Sequence, residues 1–140
     1  MNILQICPKP PNPRIDGGCI AMDALRKGLE YEGNRVRTIA MSTSKHPNIE
    51  GANEGDYSHV EIDTRLNPIT ALLNLLANKS YNIERFKSQA VEEEITKALK
   101  LESFDAIILE SLYSCHYIDL IRSISKAKIH LRAHNIEHEI

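Results

Sequence analysis

Five short strand-like runs, at residues 2–7, 35–41, 59–63, 105–110 and 128–133, constrain this chain most, because the intervals between them mostly read as helix. Residues 19–32 place Met22, Leu25 and Leu29 at helical spacing and stop at Gly33-Asn34, where positive φ is tolerated. Asn67 and Pro68 read as a cap and first residue of a helix running through the apolar stretch 69–76. A long helix is predicted over 82–101, with Glu92, Glu93 and Glu94 as its solvated side, and a shorter one over 117–125. Residues 8–18 and 42–58 carry prolines, glycines and polar residues without a usable period, and are predicted as loops. Strands joined through helices form parallel sheets with right-handed crossovers. The expectation is therefore an α/β, Rossmann-like three-layer domain over residues 1–140, with a mostly parallel sheet in the order 3-2-1-4-5.

Composition excludes several function classes. The 140 residues are 42% hydrophobic and 26% charged, which suits a single globular core. A formal net charge of −2 leaves no basic footprint for nucleic acid, since the basic groupings are as short as Arg35/Arg37 and Lys126/Lys128. Three cysteines, Cys7, Cys19 and Cys115, show no C-x-x-C spacing and point to neither a disulfide framework nor a cysteine zinc site. The opening apolar run is too short for a signal peptide or a membrane span, so a cytoplasmic location is expected, with peripheral contact at the inner membrane face left open.

Two places carry chemistry. Gly17 and Gly18 follow the first strand and its proline-rich loop, where backbone N–H groups at a helix start suit phosphate; two glycines that merely turn the chain fit the spacing equally well. The dinucleotide fingerprint G-x-G-x-x-G is absent, the second strand ends without a ribose-binding acid, and no G-x-x-x-x-G-K-[ST] loop occurs, so NAD and NTPase readings are disfavoured. At the other end, the fifth strand runs into His134-Asn135, which places a histidine and an amide where open α/β sheets bind ligands. His134, Glu137 and His138 also match H-x-x-E-H, a zinc-hydrolase spacing that requires helix where a strand is just ending.

The segments Cys7-Pro8-Lys9-Pro10-Pro11 to Ile15-Asp16-Gly17-Gly18, Phe104 to Glu110, and Leu131-Arg132-Ala133-His134-Asn135-Ile136-Glu137 together resemble the N-terminal, acceptor-side domain of family-4-like glycosyltransferases of the GT-B fold. The resemblance covers essentially the whole chain, and the middle matches mainly in layout. It implies a truncated N-terminal half of a two-domain enzyme whose C-terminal donor-binding domain is absent, so that the isolated chain transfers no sugar. It also implies a nucleotide-sugar donor, a glycan or lipid-linked acceptor in cell-surface polysaccharide synthesis, and no metal or other cofactor. By the same resemblance Gly17 and Gly18 meet the donor diphosphate and His134 is the catalytic residue beside the transferred sugar. Asn135, Glu137, Glu110 and Tyr113 shape the acceptor pocket. The family's Glu-x7-Glu signature belongs to the absent half; the pairs Glu84/Glu92, Glu94/Glu102 and Glu102/Glu110 sit mostly on a helix and are discounted. The apolar stretch 69–76 fits core or interdomain packing better than a lipid-linked acceptor, and an uncovered sheet edge would favour self-association. Two other readings stay open: a stand-alone Rossmann-like binding or regulatory domain, and the zinc hydrolase.

Overall fold

The computed structural model describes residues 1–48, 55–65 and 86–133. Five parallel strands form one sheet: β1 (Asn2–Cys7), β2 (Arg35–Ser42), β3 (Tyr57–Glu61), β4 (Ala106–Glu110) and β5 (Lys128–Arg132), in the order β3-β2-β1-β4-β5. Helix α1 (Gly17–Tyr31) packs on one face; α2 (Gln89–Leu101) and α3 (Ile118–Ile124) pack on the other. This is the Rossmann-like α/β architecture and strand order that the alternating pattern predicts.

The layers follow from side-chain alternation. Leu4 and Ile6 on β1, Ile39 and Met41 on β2, and Ile107 and Leu109 on β4 point to the side of α2 and α3, where they meet Val91, Ile95, Ala98, Tyr117 and Ile121. Most of these side chains are fully buried, each stabilising by roughly 1.5–3 kcal/mol. The opposite face is different: beneath α1 the sheet presents Gln5, Thr38 and Glu110 beside the small cluster Cys7, Cys19, Met22 and Ala40. A polar sheet face under a helix must be internally hydrogen-bonded, and it sets up the chemistry described below.

Several bounds differ from expectation for local reasons. Helix α1 begins at Gly17, because the Asp16 carboxylate accepts from the Cys19 N–H at 2.9 Å and caps it there. Strand β3 lies two residues earlier than predicted, since Thr38 to Ser42 pair with Tyr57 to Glu61 and Tyr57 packs on the Cys7 cluster. Residues 86–88 are not helical: the Tyr117 hydroxyl donates to the Phe86 carbonyl at 2.6 Å and accepts from the Ser88 N–H at 3.2 Å. The helix predicted from 117 is preceded by a 3-10 segment, Leu112–Tyr117. Glu94 is not simply solvated; it turns toward Arg37, and Arg37 and Arg35 both pair with Glu102 at 2.6 Å. The predicted helix over 67–76, together with Glu84 and the terminal His134, Asn135, Glu137 and His138, lies outside the described residues. Among the described residues no helix is long and apolar enough to cross a membrane.

Candidate functional site

In a parallel sheet of this order the chain leaves β1 and β4 toward opposite sides, which opens a crevice at their carboxyl ends. A cavity of about 830 Å³ lies there. Its walls include the loops after β1 (Lys9, Gly17, Gly18), after β2 (Thr43 to His46) and after β4 (Ser111, Tyr113), together with Arg65 and Phe86.

The first loop is held to α1 by its own side chains. Arg14 donates to Asp23 at 2.5 and 2.8 Å, and the Cys19 thiol donates to the Pro10 carbonyl at 3.3 Å. Asp23 is fully buried and also meets Arg26 and Lys27. Burial alone would raise its pKa, but the hydrogen bonds from Lys27, Arg14 and Arg26 outweigh that and leave it below the ordinary carboxylate value. This clamp fixes where α1 starts.

At that start, among the described residues, neither the Gly17 nor the Gly18 N–H has a hydrogen-bond partner, and both residues line the cavity. The first N–H groups of a helix carry its positive dipole end. Lys9 stands beside them: a Cβ on Gly18 would lie 3.1 Å from the Lys9 Nζ and 3.3 Å from Asp16 Oδ1, so glycine leaves the lysine room to reach the helix end. Lys9 Nζ donates to Asp16 Oδ2 at 2.6 Å, and His46 Nε2 stands 3.6 Å from the same oxygen. The Lys9 bond holds the Asp16 carboxyl well below its usual range, against partial burial and with help from the Cys19 N–H. Burial and then the Lys9 charge push His46 below its ordinary value. With Lys45 and Arg65, the cavity wall carries three permanent cations and the carboxylate of Asp16 among the described residues.

Tyr113 lines this cavity, stacked on Phe86 with ring centroids 4.5 Å apart and planes at 21°. Glu110 does not open on it. Its side chain is fully buried, accepts from Gln5 Nε2 at 2.7 Å and pairs with Arg132 Nη1 at 3.2 Å. Gln5 also donates to the Met22 carbonyl, and Arg132 to the Ala21 carbonyl at 3.1 Å. The network therefore ties β1, β4 and β5 to the first half of α1 and braces the helix whose amino end carries the glycines. Facing Glu110 toward the cleft was the expectation; strand alternation instead turns it with Gln5 beneath α1.

Sequence reasoning missed four residues of this site. Lys9 lies in the segment Cys7-Pro8-Lys9-Pro10-Pro11 but has no role legible there, His46 has no motif around it, and the proximity of the two is purely tertiary. Arg132 reads as an ordinary strand residue. Ser111 has φ 107° and ψ 156°, a conformation normal only for glycine, and nothing in Glu-Ser-Leu-Tyr announces it. Its N–H donates to the Arg132 carbonyl at 2.9 Å and its hydroxyl accepts from the Tyr113 N–H, which aims the tyrosine into the cavity. Cys7 and Cys19 are buried with thiols pushed up mainly by desolvation, so neither is a poised nucleophile. Among the described residues no group of three His, Cys, Asp or Glu could hold a metal. The chain matches no family model and no curated protein.

Proposed function

We propose that this chain is the acceptor-side domain of a sugar transferase, whose cleft receives the diphosphate of a nucleotide-sugar at Gly17 and Gly18 and a glycan or lipid-linked acceptor against Tyr113 and Phe86. One observation carries the reading: two adjacent amides at a helix start, without a hydrogen-bond partner among the described residues, share a cavity with Lys9 at the carboxyl ends of β1 and β4. Transfer of a glycosyl group leaves a diphosphate on which negative charge grows, and preorganised N–H donors beside a lysine stabilise that charge without reorganising. In this reading a separate nucleotide-binding domain supplies the rest of the donor site. His134 acts at the transferred sugar, Asn135 and Glu137 contact the acceptor, and Glu110 braces α1.

The test is a titration of the isotope-labelled chain with pyrophosphate, followed by amide NMR. The Gly17 and Gly18 resonances are expected to move with millimolar affinity, and Gly18→Val, whose side chain would fill the space beside Lys9, is expected to abolish the movement while leaving the remaining spectrum intact. Shifts confined to other surfaces would remove the phosphate role. Micromolar binding of a UDP- or GDP-sugar to residues 1–140, measured by calorimetry, would place the donor site in this domain and refute the acceptor-side assignment.

A further inference from the structure

The loop after β2 brings a histidine to the mouth of the cleft. Thr43 and His46 exchange backbone hydrogen bonds at 3.0 Å in both directions, and the Thr43 hydroxyl accepts from the His46 N–H at 3.1 Å, so the turn holds the ring in place. The ring borders the same cavity as Lys9 and the two glycines, with Nε2 facing the Asp16–Lys9 pair. Among the described residues the charged groups that act on it are Lys9 and Asp16 from the loop after β1 and Lys45 from its own turn, and Arg65 from the segment after β3 lines the same cavity. Arg65 is itself 3.4 Å from Asp63.

This arrangement is unbalanced in a specific way. Without a ligand Lys9 is satisfied by Asp16, and a second positive charge on His46 is disfavoured by burial and by Lys9. A tetrahedral dianion beside the Gly18 amide would compete with Asp16 for Lys9 and would bring two negative charges beside the carboxylate. Among the described residues that line the cavity, His46 is the side chain that can gain a positive charge near neutral pH. We propose that the cleft binds a phosphoryl dianion as a proton-coupled ligand, with His46 taking up a proton and joining Lys9 and the Gly17 and Gly18 amides as its cationic partner. The inference rests on the phosphoryl reading of the cleft and adds a residue and a proton to it.

The sign follows from linkage. A histidine protonated more readily in the complex than in the free protein makes binding tighter as pH falls through the window between its two pKa values. A unit charge about 5 Å from a dianion in a water-open cleft changes affinity by about tenfold. The experiment uses sulfate, which remains a dianion throughout, so that any pH dependence belongs to the protein. Sulfate is titrated into the labelled chain at about pH 5.5 and about pH 8, on either side of the ordinary histidine value. The Gly17 and Gly18 amides are expected to move at both, with affinity about tenfold higher at the lower pH and the His46 ring titrating higher in the presence of sulfate. In His46→Gln the two affinities should agree within about twofold, and His46→Lys, a permanent cation, should bind tightly at both. Glycine amides that move with a pH-independent affinity, or an undiminished pH dependence in His46→Gln, would overturn the role of His46 and leave the phosphoryl reading standing. Glycine amides that do not move at either pH would overturn both.

Discussion

Replacing Arg132 by methionine tests the buried network directly, because it removes the guanidinium while keeping much of the apolar stem. Glu110 is fully buried, so without Arg132 its carboxylate loses the 3.2 Å ion pair while the 2.7 Å bond from Gln5 stays, and the Ala21 carbonyl loses its bond from the guanidinium. Removing one partner of a buried ion pair costs about 3–5 kcal/mol. The Arg132 side chain is 37% exposed, so water can enter where the guanidinium was and the cost should fall to about 2 kcal/mol. For a domain of this size that corresponds to about 7 °C in Tm. Glu110→Gln alone, which keeps an oxygen for Gln5, should cost about 1 kcal/mol. The double variant should cost about 2 kcal/mol instead of the additive 3, because the neutral amide no longer needs the lost charge. Urea denaturation with unchanged m-values is the assay. A cost for Arg132→Met below about 0.5 kcal/mol, or strict additivity in the double variant, would show that the network is not a coupled brace.

Two further perturbations probe the ends of the site. At Ser111, with φ 107°, glycine should raise stability by about 1 kcal/mol, net of the weak hydroxyl bond to Tyr113, whereas valine should lower it by more than about 2 kcal/mol; thermal melts of the two variants should therefore move in opposite directions. Asp16→Ala removes the cap of α1 and should cost about 1 kcal/mol near neutral pH. Since folding holds this carboxyl below its ordinary value of 3.8, its contribution is present above that pH and is lost as pH falls below it, so the stability gap between the native chain and the variant should narrow on acidification. A gap that stays constant from neutral pH into acid would contradict the Lys9–Asp16 bond as the cause.

What could be read from the sequence was whatever depends on neighbours along the chain. The central strands β1 and β4 are covered on both faces and so appear as near-continuous apolar runs, Ile3 to Cys7 and Ala106 to Leu109, while Met22 and Ile95 mark the buried stripes of their helices. That local signal, with the handedness of parallel crossovers, suffices for the strand order and for placing Gly17 and Gly18 at the crevice. Tertiary structure decided everything that depends on register and on packing between distant segments. Whether Glu110 opens on the cleft or supports α1 follows from its pairing with Arg132, partners 22 residues apart. Lys9 and His46 meet at Asp16 because the loops after β1 and β2 end on the same side of the sheet, and no spacing records that meeting. Hydrophobic burial is roughly proportional to area and tolerates small displacements, so periodicity foretells it. Hydrogen bonds and ion pairs are lost within an ångström, and only the assembled chain brings their partners that close.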